Sequence, residues 1–253
     1  MGGRLALQGL RDATGRADLD GVRSEFAAVH AAYAKAGRAA KWPVSIVVEE
    51  MPIMGATQSR PNEGHLIHLS LRATKSDMLA GLIAHEMGHI ARTEAGHPSH
   101  DRRVHDAAMA RVTVPRAFAR GFPRLARSAV GHMEDIYADD LAIPLVIGER
   151  SRGFFADWIR NAMAMSGNAW DEVFGLLDIA FSLGNLERHG LVKGSDPLSK
   201  EATEFAKVRG IRSLDALTAA YRDLPDPVTS DKCEDILVDL LRTAMAELRS
   251  RPA

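Results

Sequence analysis

Ala84-His85-Glu86-Met87-Gly88-His89-Ile90 is the stretch whose reading decides this chain. It places His-Glu-x-x-His inside a run with helical apolar spacing. Residues four apart lie on one face of a helix, so His85 and His89 can reach one metal ion together. Glu86 stands beside them, where its carboxylate can meet a water on that ion. Two imidazole ligands, an acidified water and a general base are the parts that metal-assisted hydrolysis needs. The expected ion is Zn2+, and the expected catalytic residue is Glu86.

Working outward, the motif helix is expected from about Lys75 to Arg92, with Thr74 as cap and Asp77 in the first turn. Met78, Leu82, His85 and His89 form one stripe on it, and Leu79, Ile83, Glu86 and Ile90 the adjacent one. Before it, Val44–Val48 and His65–Leu71 read as strands, with Ile67, Leu69 and Leu71 facing the core and Leu66, His68 and Ser70 facing away. Residues 51–64, with Gly55, Pro61, Asn62 and Gly64, suggest a loop or a long hairpin connection. Leu19–Ala40 carries a helical pattern through Val22, Phe26, Val29 and Tyr33, and residues 1–17 read as a loose start. After the motif, helices are expected near 100–114 and 123–143. Beyond Gly148 they are expected at 153–165, 169–187, 198–208, 213–222 and 230–249. The fold class is therefore α+β and mostly α: a small sheet on the motif helix, then an all-helical C-terminal part. The expected division is residues 1–149 and 150–253, the second packing on the first, with one continuous domain as the alternative.

Two histidines need a third protein ligand and an open fourth position. Downstream candidates are His97, His100, His105, His132, Glu134, Asp135 and Asp139. The metzincin arrangement, with a third histidine six residues after the second and a glycine turn between, fails here: Arg92 stands at the glycine position and Ala95 at the histidine position. Asp135 and Asp139 share a helix face with His132. One carboxylate can ligate the ion while another, a turn later, accepts the free imidazole N–H of a ligand histidine. His85-Glu86-Met87-Gly88-His89 followed by an acidic helix resembles the gluzincin metallopeptidases, and the layout of helix, strands, motif helix and ligand helix resembles their compact forms, the minigluzincins. That resemblance spans about residues 43–145. It implies a zincin-like sheet and peptide-bond hydrolysis. It also implies a third ligand that is a Glu, followed three residues later by Ala and four later by an acidic residue or Asn. Ala138 and Asp139 match that tail. The ligand position is then Asp135, while the Glu is one residue earlier, at Glu134: spacing favours Asp135 and residue type favours Glu134. The ligand set is read as His85, His89 and Asp135, with Glu134 as the alternative and with Asp139 and His132 behind the ligands. His132 and Tyr137 are candidate donors to a developing oxyanion. In the resembled families a peptide substrate adds along the edge strand before the active-site helix, a role that would fall to residues 65–71.

The whole chain sets bounds on partners. Its 253 residues are 46% hydrophobic, enough for a sizeable core. Net charge is -1, from 32 basic and 33 acidic side chains, which argues for neither nucleic acid nor an anionic membrane surface. Cys233 is the single cysteine, which fits a reducing compartment. No apolar signal core or membrane-length run is seen. A cytoplasmic protein with a peptide or protein substrate is the expectation. The Ile236, Leu237, Leu240, Leu241 and Met245 stripe fits packing in a bundle or at a homodimer interface equally well. The competing class is a zincin-fold protein that holds a metal without catalysis and serves as a binding or scaffold module. Elsewhere His65 reads as a half-exposed strand residue, the arginines of 111–127 as a solvated face, and Phe154, Phe155 and Trp158 as core.

Overall fold

The computed structural model describes residues 7–165 and 167–251. Contacts divide the chain into two units: residues 1–100 with 137–148, and 101–136 with 149–253. The division crosses the chain more than once, unlike the single cut expected at 149/150.

The first unit is built on a sheet in the order β1-β2-β4-β3. The β-branched run 44–48 forms β2 (Val44–Glu49), which sits inside the sheet. It pairs in parallel with β1 (Leu7–Asp12) on one side and with β4 (Gly64–Ser70) on the other. β3 (Gly55–Arg60) pairs antiparallel with β4 and is the far edge. One expectation changes here and another narrows to one of its alternatives. Residues 7–12 are a strand, not a loose start. The 51–64 connection holds the first arm of a hairpin, β3, with Asn62 at positive φ in the turn and Gly64 at positive φ where β4 opens. The apolar alternation in β1 and β3 is weak, so neither shows as a strand from periodicity. Residues 65–71 therefore cannot be the edge, because β4 has a neighbour on each side.

Alternation in β4 buries Ile67 and Leu69 while Leu66 and His68 stay half-buried, as the period of two requires. Helices α1 (Leu19–Lys35) and α2 (Leu79–Glu94) supply the other half of the core. Val22, Phe26, Val29 and Tyr33 of α1 join Ile46, Val48, Ile67 and Leu69 of the sheet and Ile83, Ala84, Met87 and Ile90 of α2 in one buried cluster. Tyr33 donates to the Ala84 carbonyl at 2.6 Å, tying α1 to the motif helix. Burial, and then the Asp139 charge, push its hydroxyl well above the ordinary tyrosine range, so it remains a donor. Helix α2 starts later than its sequence suggests. Thr74 donates to the Leu71 carbonyl inside a 3-10 turn, Ala73–Lys75, and α2 begins at Leu79 without a side-chain cap.

The second unit holds α3 (Arg102–Ala110), most of α4 (Phe122–Ala142), α5 (Arg150–Ala164), α6 (Ala169–Arg188), α7 (Pro197–Val208), α8 (Leu214–Arg222) and α9 (Ser230–Arg249). These lie close to the expected spans, and several are bounded by a strong stop or cap. Asn168 and Asp171 form a capping box on α6, Asp196 and Pro197 open α7, and Thr229 caps α9. Leu237, Leu240, Leu241 and Met245 are buried inside the unit. Phe155 is core, but Phe154 is exposed, a correction that follows from adjacent helix positions pointing about 100° apart. Among the described residues, no helix is long and apolar enough to cross a membrane.

Candidate metal centre

Helix α2 presents His85 and His89 side by side, their ring centroids 4.7 Å apart and their planes nearly perpendicular. The two Nε2 atoms face each other at 3.0 Å. Behind His85, Nδ1 lies 2.7 Å from Asp139 Oδ1 on the last turn of α4. A carboxylate accepts, so a neutral His85 that donates from Nδ1 to Asp139 turns the lone pair of Nε2 toward His89. Asp139 is almost fully buried, in the place a carboxylate takes behind a histidine when that histidine binds a metal.

Asp135 precedes Asp139 by four residues on the unbroken helix α4, and so shares its face. Ligand atoms from His85, His89 and Asp135 all lie within 4.8 Å of one another. Two imidazole nitrogens and a carboxylate oxygen so close together are three electron-pair donors, and this group could hold a metal ion. Glu134, the alternative third ligand, is not part of it. Rotated about 100° from Asp135, its charge acts instead on Cys233 of α9, whose thiol is pushed up to about 11 by burial and then by Glu134.

Glu86 is buried at 3% exposure. Thr57 of β3 donates to its Oε2 at 2.7 Å. Gly55, two residues earlier on the same strand, leaves the space at the other oxygen open: a Cβ there would lie 2.8 Å from Oε1. The edge strand thus shapes the surroundings of the general-base candidate, and nothing in residues 51–64 read as sequence pointed to this.

Two further contacts fix α2 against the end of α4. Gly88, the second variable position of the motif, passes so close to Ala138 that a Cβ would stand 2.5 Å from the Ala138 carbonyl oxygen. Arg92, buried where a metzincin would have glycine, donates from Nε to the Tyr137 carbonyl at 2.9 Å and lies 3.7 Å from Asp140. Its guanidinium sits 5.5 Å from the Tyr137 ring centroid. Tyr137, the other candidate donor, is fully buried with the His97 ring 4.4 Å away.

The matching family model covers residues 27–246 and describes a family of unknown function, DUF5781. The chain belongs to that family. No curated protein and no solved structure matches the chain. For this DUF5781 member the remaining histidines have separate places. His132 has Nε2 3.0 Å from Asp178 and its ring stacked on Phe181, 4.5 Å between centroids. It was expected behind the ligands, yet it is a core residue of the second unit. His65 is a correction as well: its side chain is fully buried, with Nε2 3.0 Å from Glu94 and its ring stacked on Trp42. Glu94 also accepts from the backbone N–H groups of Lys41 and Trp42. That cluster fastens the end of α2 to the start of β2. His100 lies against His89, its Nε2 2.8 Å from His89 Nδ1.

Proposed function

We propose that this DUF5781 protein is a zinc-dependent metallopeptidase. The observation that carries the reading is the convergence of His85, His89 and an Asp135 carboxylate oxygen, with Glu86 next to His85 along the chain. Three protein ligands of N, N and O type suit a catalytic zinc site, which keeps its fourth position for water. When bound, zinc supplies a Lewis acid that brings the proton of a water within reach near neutral pH. Glu86 takes that proton and returns it to the leaving amine. Thr57 holds one oxygen of Glu86 in place, and Gly55 keeps side-chain bulk away from the other.

The edge strand β3 suits an extended peptide. It has an unpaired edge, and main-chain addition along an open strand is a general mode of peptide recognition. A peptide aligned with β3 runs beside the strand that carries Gly55 and Thr57, and so beside Glu86. This is the role first expected of residues 65–71, moved to the edge strand that carries Gly55 and Thr57.

Metal analysis of the purified full chain is expected to find about one zinc per molecule. Glu86→Gln is expected to keep that zinc and lower peptide hydrolysis by about 10²- to 10⁴-fold. Undiminished metal-dependent hydrolysis in the variant would overturn the mechanism. The second reading is a metal-holding module without catalysis, favoured by the 3% exposure of Glu86. Stoichiometric zinc with no cleavage of any member of a diverse peptide library would decide for it.

A further inference from the structure

We infer that Ser59, His65 and Glu94 form a second catalytic site, a serine nucleophile with its base and orienting carboxylate, whose substrate is a carboxylic ester. All three residues belong to the first unit, and the site needs no metal. Ser59 lies on β3, His65 stands directly opposite it on β4, and Glu94 ends α2.

The strand register sets the geometry. The Ser70 N–H donates to the Met54 carbonyl at 2.9 Å, so Met54, just before β3, and Ser70 are a pair that exchanges ladder bonds. Such pairs alternate along an antiparallel ladder. Further along β3, Ser59 and His65 fall on a pair that exchanges none. Opposed residues approach most closely in pairs of that kind, and Ser59 Oγ reaches His65 Nδ1 at 2.8 Å. The other ring nitrogen, Nε2, lies 3.0 Å from Glu94 Oε1. Main-chain N–H groups of Lys41 and Trp42 donate to Glu94 at 2.8 Å and hold its carboxylate in place. A carboxylate accepts, so a neutral His65 that donates from Nε2 to Glu94 turns the lone pair of Nδ1 toward the Ser59 hydroxyl. Trp42 stacks on the imidazole, 5.4 Å between centroids. The side chains of His65 and Glu94 are buried, whereas Ser59 is only half-buried. An accessible hydroxyl, a base behind it and a carboxylate behind the base are the parts of a serine hydrolase triad, here with Nδ1 and Nε2 exchanged.

The same alternation turns the main-chain N–H of Ser59 away from β4, next to its own hydroxyl, where it can donate to an oxyanion. One such donor suits an ester, whose carbonyl is attacked more readily than that of an amide. The reaction needs only the ester and water. Ser59 Oγ attacks the carbonyl carbon as its proton passes to His65 Nδ1, and the carbonyl oxygen becomes an oxyanion. The oxyanion collapses, the bond to the alcohol oxygen breaks, and Nδ1 gives the proton to the departing alcohol. Water then attacks the acyl group on Ser59 and yields a proton to Nδ1. That proton returns to Ser59 Oγ as the carboxylic acid leaves.

The test treats the full chain with a fluorophosphonate, a reagent that phosphonylates activated serines, with and without a metal chelator. Peptide mapping by mass spectrometry is expected to find the adduct on Ser59, formed at the same rate in both conditions and lost when the chain is unfolded in urea. With p-nitrophenyl acetate, a burst of about one nitrophenol per chain is expected, and Ser59→Ala should remove it. His65→Gln is expected to slow the labelling of Ser59 by about 10²- to 10⁴-fold. No adduct on Ser59, labelling that the chelator abolishes, or undiminished labelling in a folded His65→Gln overturns the inference. Should His65→Gln fail to fold, the wild-type adduct decides: loss of labelling in urea supports the site, and equal labelling in urea overturns it.

Discussion

Two histidine–aspartate pairs, one in each unit, have nearly the same hydrogen-bond geometry and differ in what they can do. His85 meets Asp139 at 2.7 Å, and His132 meets Asp178 at 3.0 Å. The difference lies at the far nitrogen of each ring. The far nitrogen of His85 faces another imidazole nitrogen at 3.0 Å, with the Asp135 carboxylate nearby. The far nitrogen of His132 has no hydrogen-bond partner among the described residues, and the ring is stacked almost parallel on Phe181 with Tyr221 at its edge. A carboxylate orients a histidine in either setting. Only convergence with further electron-pair donors turns an oriented histidine into a candidate ligand.

The comparison breaks most sharply at the ligands. His89→Ala should abolish stoichiometric zinc uptake, lowering affinity by more than about 100-fold, whereas His132→Ala should leave zinc uptake unchanged. The latter should instead cost about 1–3 kcal/mol of stability, since it empties a packed site and strips Asp178 of its partner. Chelator competition and urea unfolding on both variants check this. If His132→Ala releases zinc, the division of roles is wrong.

The supporting carboxylates come next. Asp139→Asn should weaken zinc by about 10- to 100-fold through loss of the bond that orients His85. Asp178→Asn, at a side chain 25% exposed, should change zinc affinity less than twofold, by the same reasoning. Equal effects of the two substitutions on metal affinity would dissolve the distinction.

Helix contacts offer a subtler comparison. Gly88→Ala would press a methyl group onto the Ala138 carbonyl, and Gly184→Ala would press one onto the Thr218 carbonyl and Tyr221. Each should cost about 1–3 kcal/mol by overpacking, read as a lower unfolding midpoint in urea. Only Gly88→Ala should also loosen zinc, because Ala138 adjoins Asp139 on α4.

The smallest effect concerns acid. Burial works to raise the Glu247 carboxyl, but bonds from Ser213, the Arg212 backbone and Arg251 outweigh it and hold the group below the usual glutamate range. A carboxylate with a depressed folded value adds stability that is complete above its unfolded value, about 4.3, and lost as pH falls through the folded one. The wild-type chain should therefore lose stability on acidification below about pH 5. Glu247→Gln should flatten that part of the profile, measured as unfolding midpoint against pH. A profile unchanged by the substitution would count against the assignment.

How much of this was legible beforehand depends on the range of the signal. His85, Glu86 and His89 are set by spacing along one helix, and the helices after Gly148 by caps and stops within a few residues of each end. The spacing of Asp135 and Asp139 was equally local. The edge strand β3 was not legible, because Gly55–Arg60 has little apolar alternation and exists as a strand through its pairing with β4. Thr57 was missed as a partner of Glu86 for the same reason, and His65 as a buried partner of Glu94 because a lone strand histidine carries no sign of what it will meet.

The sequence by itself determined that two imidazoles and a carboxyl group would share a helix, and that an acidic helix would follow, since helical periodicity is a property of the local backbone. Tertiary structure alone decided which carboxylate groups with the histidines and which buried arginine joins α2 to α4. Those outcomes depend on the rotation of one helix against another. A single residue's step turns a side chain through about 100°, which is enough to separate Asp135 at the candidate centre from Glu134 beside Cys233.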